Sequence, residues 1–97
     1  MRARRLCVYF LANRMRGTLY IGVTSDLIQR IWRHRNDQTD GFTHKYGVHT
    51  PVWYELHDSM ESAIQREKTV KAWECAWKLD SIETSNPDWH DSYPEIL

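Results

Sequence analysis

Aromatic and aliphatic runs separated by polar stretches occupy the first quarter of the chain, and helical spacing follows them. Val8-Tyr9-Phe10 and Leu19-Tyr20-Ile21-Gly22 flank Asn13-Arg14-Met15-Arg16-Gly17, a polar, glycine-containing segment with the composition of a hairpin connection. Both runs suit a pleated, half-buried surface, which predicts neighbouring strands of one small sheet. Tyr9 and Tyr20 can then bring two phenol groups to one spot. Thr24-Ser25-Asp26 offers helix-capping side chains, and Leu27, Ile28, Ile31 and Trp32 recur at helical spacing. Arg30 and His34, four residues apart, share a face beside that apolar stripe.

Residues 36–50 form the one long irregular stretch, with Gly41, His44, Lys45, Tyr46, Gly47 and His49; a loop of that length is often functional. After Pro51, Val52, Tyr54 and Leu56 alternate with Trp53, Glu55 and His57, the period of a third strand. Asp58 and Ser59 offer N-caps for a helix over 60–74, with Glu61 placed to complete a capping box with Asp58. Its apolar face comprises Met60, Ala63, Ile64 and Val70, and Glu67 falls inside that face. A shorter helix over 76–84, anchored by Trp77, Leu79 and Ile82, is expected to end before Asn86-Pro87, because the residue preceding proline disfavours helical geometry. Trp89 and the tail are expected to pack back only partly. The order is β-β-α-β-α-α, which implies an α/β (α+β) domain: a three-stranded, largely antiparallel sheet flanked by helices.

Ninety-seven residues suffice for one compact domain, so a single unit over 1–97 is expected, with five tryptophans available for a modest core. The apolar runs are far too short to span a bilayer, and 1–6 leads into a strand-like segment with no signal-peptide hydrophobic region. A cytoplasmic protein with no membrane partner is therefore expected. Cys7 and Cys75 lack any metal-ligand pairing pattern and read as small buried side chains. Net charge is zero, yet its distribution is lopsided. Residues 1–50 carry nine Lys/Arg against three Asp/Glu, a balance of +6, and residues 51–97 carry four against ten, a balance of −6. Arg2, Arg4, Arg5, Arg14, Arg16, Arg33, Arg35 and Lys45 can thus present a positive surface to a phosphate backbone.

Phenol, guanidinium and imidazole groups gathered near a sheet suit a phosphate ester as ligand. Each residue also has a plainer reading: strand tyrosines as packing, Arg30 and His34 as the solvated edge of a helix, His44 and His49 as surface residues, Asn86 as a turn former. Glu67 on an apolar face needs compensation, because an unpaired buried charge costs several kcal/mol by order of magnitude. Lys71 one turn later is one source and a divalent cation shared with a phosphate is another.

Tyr20-Ile21-Gly22 and the degenerate Cys7-Val8-Tyr9, followed by Arg30, His34, Lys45-Tyr46, the segment around Glu67 and Asn86-Pro87-Asp88-Trp89, resemble the GIY-YIG nuclease superfamily over nearly the whole chain. The likeness is to small stand-alone members, similar to the catalytic domain of the bacterial excinuclease. The resemblance implies a catalytic set of Tyr9, Tyr20, Arg30, His34 and Glu67, with Lys45, Tyr46 and Asn86 contacting substrate. It also implies a metal-dependent endonuclease hydrolysing phosphodiester bonds in DNA, structure-specific in repair or recombination, with a protein partner supplying specificity. Glu67 would hold a single Mg²⁺ or Mn²⁺, since such an ion keeps several waters and needs only one or two carboxylates. Arg30 would grip the phosphate, and Tyr20 would be the base or water-positioning group, with His34 its rival. Cys7 stands where the family has glycine, and the stretch 74–80 is more acidic than similar proteins are there. Two other functions stay open: a non-catalytic nucleic-acid-binding module of the same fold, and a protein-interaction domain using its tryptophan-rich surface.

Overall fold

A computed structural model describes residues 6–35 and 45–96, apart from the side chains of His34, Arg35 and Ile96. The elements are β1 (Cys7–Ala12), β2 (Leu19–Thr24), α1 (Leu27–Arg35), β3 (Thr50–Leu56), α2 (Met60–Lys71), α3 (Cys75–Ser85) and a final turn α4 (Tyr93–Ile96). Among the described residues the order expected from the hydrophobic pattern is present, with a short helix added at the end and Lys45 and Tyr46 helical where an irregular stretch was expected. The sheet is antiparallel with strand order β2-β1-β3. All six residues of β1 are buried, because helices cover both of its faces.

Alternation along β1 sorts its side chains. Cys7, Tyr9 and Leu11 join Leu27 and Ile31 of α1 and Val48 of the preceding loop on one face. Phe10 and Ala12 join Val52, Val70 of α2, Ile82 of α3 and Trp89 on the other. The hairpin closes as its composition predicts, with Asn13 Oδ1 accepting from the Thr18 amide at 2.9 Å. The left-handed residue in the turn is Arg16, with φ of 57°, and not its glycine neighbour.

Several expectations are corrected. Of the two capping candidates Ser59 takes the role, so no Asp58–Glu61 capping box forms: its hydroxyl accepts from the Ser62 amide at 3.2 Å, and the helix stops at Lys71, short of 74. Ile64 is exposed, since the buried stripe of α2 runs through Ala63 and Val70. A bulge where β3 passes Phe10 and Leu11 lets consecutive Val52 and Trp53 both join the Phe10 cluster, so strict alternation fails there. Cys75 begins α3 on its outer side and is exposed; Cys7 is buried as expected. Trp89 is packed fully and not partly, while the tail beyond it is anchored at Ser92 and otherwise mostly exposed. Trp89 is only 6% exposed, and the Ser92 amide donates to the Pro51 carbonyl at 2.8 Å along the outer edge of β3.

One carboxylate explains how the tail is held. Glu83 accepts from Arg16 Nε at 2.9 Å and Nη2 at 2.7 Å, and from the indole Nε1 of Trp89 at 2.7 Å. Arg16 and Trp89, at φ of 57° and 56°, are the described non-glycine residues in the left-handed region. Such backbone costs about 1 kcal/mol or more per residue, and their shared partner fixes both. The Arg16 hydrogen bond, and after it the Trp89 bond, holds the Glu83 carboxyl below its ordinary range. A lowered folded value means stability present above the unfolded carboxylate range, near pH 4, and lost as pH falls through the folded value. Glu83→Gln should therefore lower the melting temperature at pH 7, and its deficit against wild type should shrink on acidification below about pH 4, as followed by circular dichroism.

Candidate active site

The β1–β2 register sets the centre of the site. Tyr9 lies opposite Gly22 and Leu11 opposite Tyr20, so the two tyrosines are diagonal neighbours on one face, their ring centroids 6.3 Å apart. Tyr54 of β3 stands opposite Tyr9 on its other side. Gly22 makes room for this. A Cβ there would lie 2.6 Å from the Tyr9 hydroxyl oxygen and 2.7 Å from Cζ, closer than atoms can pack.

Helix α1 brings the third group. Asp26 Oδ1 accepts from the Gln29 amide at 3.3 Å and starts the helix, Leu27 and Ile31 anchor it on the Tyr9 face, and Arg30 then turns toward the phenols. Arg30 Nε donates to Tyr9 Oη at 3.2 Å. That bond, and to a smaller degree Tyr20, raises the Arg30 pKa further above its already high value. Tyr9 is fully buried, and burial pushes its phenol well above the ordinary tyrosine range; the arginine only partly offsets this. Tyr9 is accordingly a protonated buttress for the guanidinium. Tyr20 and Arg30 are the solvent-reachable members of the trio.

Beyond Arg30 opens a polar hollow of about 180 Å³ lined by Thr24, Ser25, Asp26, Gln29, Arg30 and Arg33. A guanidinium bordering such a hollow, with a second arginine one turn away, can receive a phosphate oxygen. Sequence reasoning singled out Arg30 and counted Arg33 only within a diffuse positive surface. The signal was available, since 26, 29, 30 and 33 share one helical face.

The remaining expected residues fall in different places. His34 belongs to α1 one turn beyond Arg30, and its side chain lies outside the described residues, as do all of His44 and the arginines of 1–5. Lys45 and Tyr46 are exposed; the Tyr46 carbonyl accepts from Asn13 Nδ2 at 3.3 Å, which sets them beside the hairpin turn. His49 is partly buried. Asn86 binds the chain to itself: its Nδ2 donates to the carbonyls of Val52 at 3.1 Å and His90 at 2.8 Å, and its Oδ1 accepts from the His90 amide at 2.9 Å. It borders a hollow of about 490 Å³ along the edge of β3, whose lining includes none of Tyr9, Tyr20, Arg30 and Glu67.

Glu67 stands on α2, whose Val70 packs against the Phe10 cluster, whereas α1 covers the opposite face. Its side chain is 18% exposed, and its carboxylate pairs with Lys71 at 3.6 Å. The structure therefore brings Tyr9, Tyr20 and Arg30 together and sets Glu67 on the helix of the other layer. In donor type Glu67 fits a hard divalent cation: it is an oxygen ligand, partly exposed, and its lysine contact is too long to occupy the carboxylate fully. Among the described residues no group of three or more His, Cys, Asp or Glu could form a protein-only metal cage. No helix among them is long and apolar enough to cross a membrane.

Comparison with known proteins found no curated protein and no solved structure that matches the chain. A family model does match, that of the GIY-YIG catalytic domain, over residues 5–80. The matched region runs from just before the hairpin strands through α2 into α3, and so contains Tyr9, Tyr20, Arg30 and Glu67. The family is one of nucleases that in general depend on a divalent metal and act on DNA. With its antiparallel β2-β1-β3 sheet, its paired tyrosines and its helix arginine, this chain belongs to the GIY-YIG catalytic domain family.

Proposed function

We propose that this chain is a metal-dependent endonuclease that hydrolyses phosphodiester bonds in DNA. The observation that supports it best is the Arg30 guanidinium, braced by buried Tyr9, close to Tyr20 and open to a polar hollow. Arg30 holds a non-bridging oxygen of the scissile phosphate. Tyr20, reachable from solvent beside Arg30, orients the attacking water and accepts its proton. Tyr9 stays protonated and keeps the guanidinium in place. Glu67 would be the protein ligand of one Mg²⁺ or Mn²⁺, a group whose chemistry is to neutralise phosphate charge. His34, Lys45 and Tyr46 would extend contacts along the strand. A domain of this size has little surface for reading a long sequence, so the substrate is best recognised by shape, as a branch or a damaged or single-stranded region in repair or recombination, with a partner protein adding specificity.

A second reading has one specific observation behind it. Glu67 lies on the layer opposite α1 and already pairs with Lys71, which suits a module that binds nucleic acid without cutting. Purified protein incubated with labelled duplex, single-stranded and branched DNA, and with matched RNA, separates the two. Cleavage in Mg²⁺ or Mn²⁺, abolished by EDTA and by Glu67→Gln or Tyr20→Phe with the circular dichroism spectrum unchanged, is the expected outcome. Binding without product in either metal would transfer the chain to the second reading.

A further inference from the structure

The nuclease reading leaves the far side of the molecule unused, where α2 gives way to α3. Trp73 and Trp77 stand four residues apart, and with Asp80 and Ser81 they line an open hollow of about 360 Å³. Trp73 is partly buried against the Phe10 cluster, so its ring is fixed. Trp77 is 56% exposed, on the side of α3 away from Leu79 and Ile82, which face the core. An indole left in solvent on an ordered helix forgoes a large burial gain, and such surface marks a contact site.

The surroundings identify the kind of partner. Between 74 and 83 the chain carries Glu74, Asp80 and Glu83 against Lys78; Glu83 is taken by Arg16, which leaves Glu74 and Asp80 as the carboxylates this surface offers to a partner. The same corner already shows what it accepts: the Arg66 guanidinium lies over the Trp73 ring, 4.9 Å from its centroid, and is held by Glu55 at 3.0 Å. One cation on an indole face, fixed by one carboxylate, is built into the fold. The hollow beside it presents the same two features, an exposed indole and a carboxylate; Arg16, hydrogen-bonded to Glu83, reaches Asp80 only through its field and is not part of the lining.

We infer that the Trp73–Trp77–Asp80 hollow binds a basic side chain, an arginine or lysine, in an extended segment of a partner protein. The indole faces attract the cation and Asp80 pairs with it. This site is separate from the Arg30 hollow and does not depend on the nuclease reading. A partner docked here would leave the tyrosine face open to nucleic acid.

Titration of the intact protein with an acetylated, amidated hexa-arginine peptide, followed by the indole N–H signals in NMR, tests the proposal. Saturable binding is expected, with the Trp77 signal moving most. Trp77→Ala should weaken binding about tenfold and Asp80→Asn several-fold, whereas Glu61→Gln, an acidic residue on α2 outside the hollow, should leave it unchanged. Trp77 is exposed, so the alanine variant keeps its core, and any nuclease activity should be unaffected. Equal weakening by Glu61→Gln and Asp80→Asn would reduce the effect to diffuse charge and overturn the proposal. Wild-type binding by Trp77→Ala, or no binding at all, would overturn it too. So would Trp77-dependent binding of a short thymidine oligonucleotide in place of the peptide, since the face would then be a base-stacking surface.

Discussion

Arg30→Ala is expected to lower cleavage by about 10²–10³-fold, the usual effect of deleting a donor aimed at developing phosphate charge. Nε of Arg30 is committed to Tyr9, which leaves the Nη atoms for Tyr20 and an incoming phosphate oxygen. Arg30→Lys should recover little of the loss, because one ammonium cannot hold a buried phenol and a phosphate at the same time. Tyr9→Phe keeps the charge and removes the brace. It should lower kcat by less than Arg30→Ala does and leave KM nearly unchanged. Arg30→Ala also removes the arginine hydrogen bond of a buried hydroxyl, worth about 1–2 kcal/mol, so each rate needs a melting curve beside it. Wild-type cleavage by folded Arg30→Ala would remove the arginine from the chemistry and the tyrosine face from the active site.

Much of this arrangement is legible along the chain. Aromatic and aliphatic runs around a polar turn fix β1 and β2, and with them the convergence of Tyr9 and Tyr20. Capping residues followed by apolar residues at helical spacing fix α1 and Arg30. These are local signals, and short-range geometry decides them. What the sequence hid was non-local. Nothing in the spacing of Trp89 announces that Glu83 will take its indole proton together with two from Arg16, sixty-seven residues away in the chain. The bulge in β3 depends on how Pro51, lacking an N–H, meets Leu11, so alternation misassigned Val52. A helical wheel places Glu67 on the inner side of α2 correctly but cannot say which face of the sheet α2 covers.

The protonation of Tyr9 was equally out of reach of sequence. Two strand tyrosines look equivalent in a row of letters, and only their burial separates them. Tyr9 occupies the central strand beneath α1, whereas Tyr20 lies on edge strand β2 and stays reachable. Burial on the central strand therefore keeps the Tyr9 phenol protonated, and strand order leaves Tyr20 as the tyrosine that a substrate can reach.

Gly22→Ala should disable the same site without touching a polar group. Alanine ordinarily gains about 0.5–1 kcal/mol over glycine in a strand, and Gly22 needs no special backbone angle. Space decides the sign. The new methyl would meet Tyr9 Oη at 2.6 Å, Cζ at 2.7 Å and Tyr20 Cε1 at 3.1 Å, and the Tyr9 ring is packed on all sides. Overpacking of this kind costs about 1–3 kcal/mol, so a net loss is expected, which in a domain of this length lowers the melting temperature by about 4–15 °C. Cleavage should fall further than the melting curve explains, since a displaced Tyr9 no longer braces Arg30. A double-mutant cycle isolates the cause. In a Tyr9→Leu background the offending ring atoms are gone, and the penalty of Gly22→Ala should largely vanish. An unchanged penalty there would mean that Gly22 serves the strand and not the tyrosine. Wild-type stability and cleavage in the single variant would mean that the phenol does not rest over Gly22 at all, and with it would go the contact that aims the arginine.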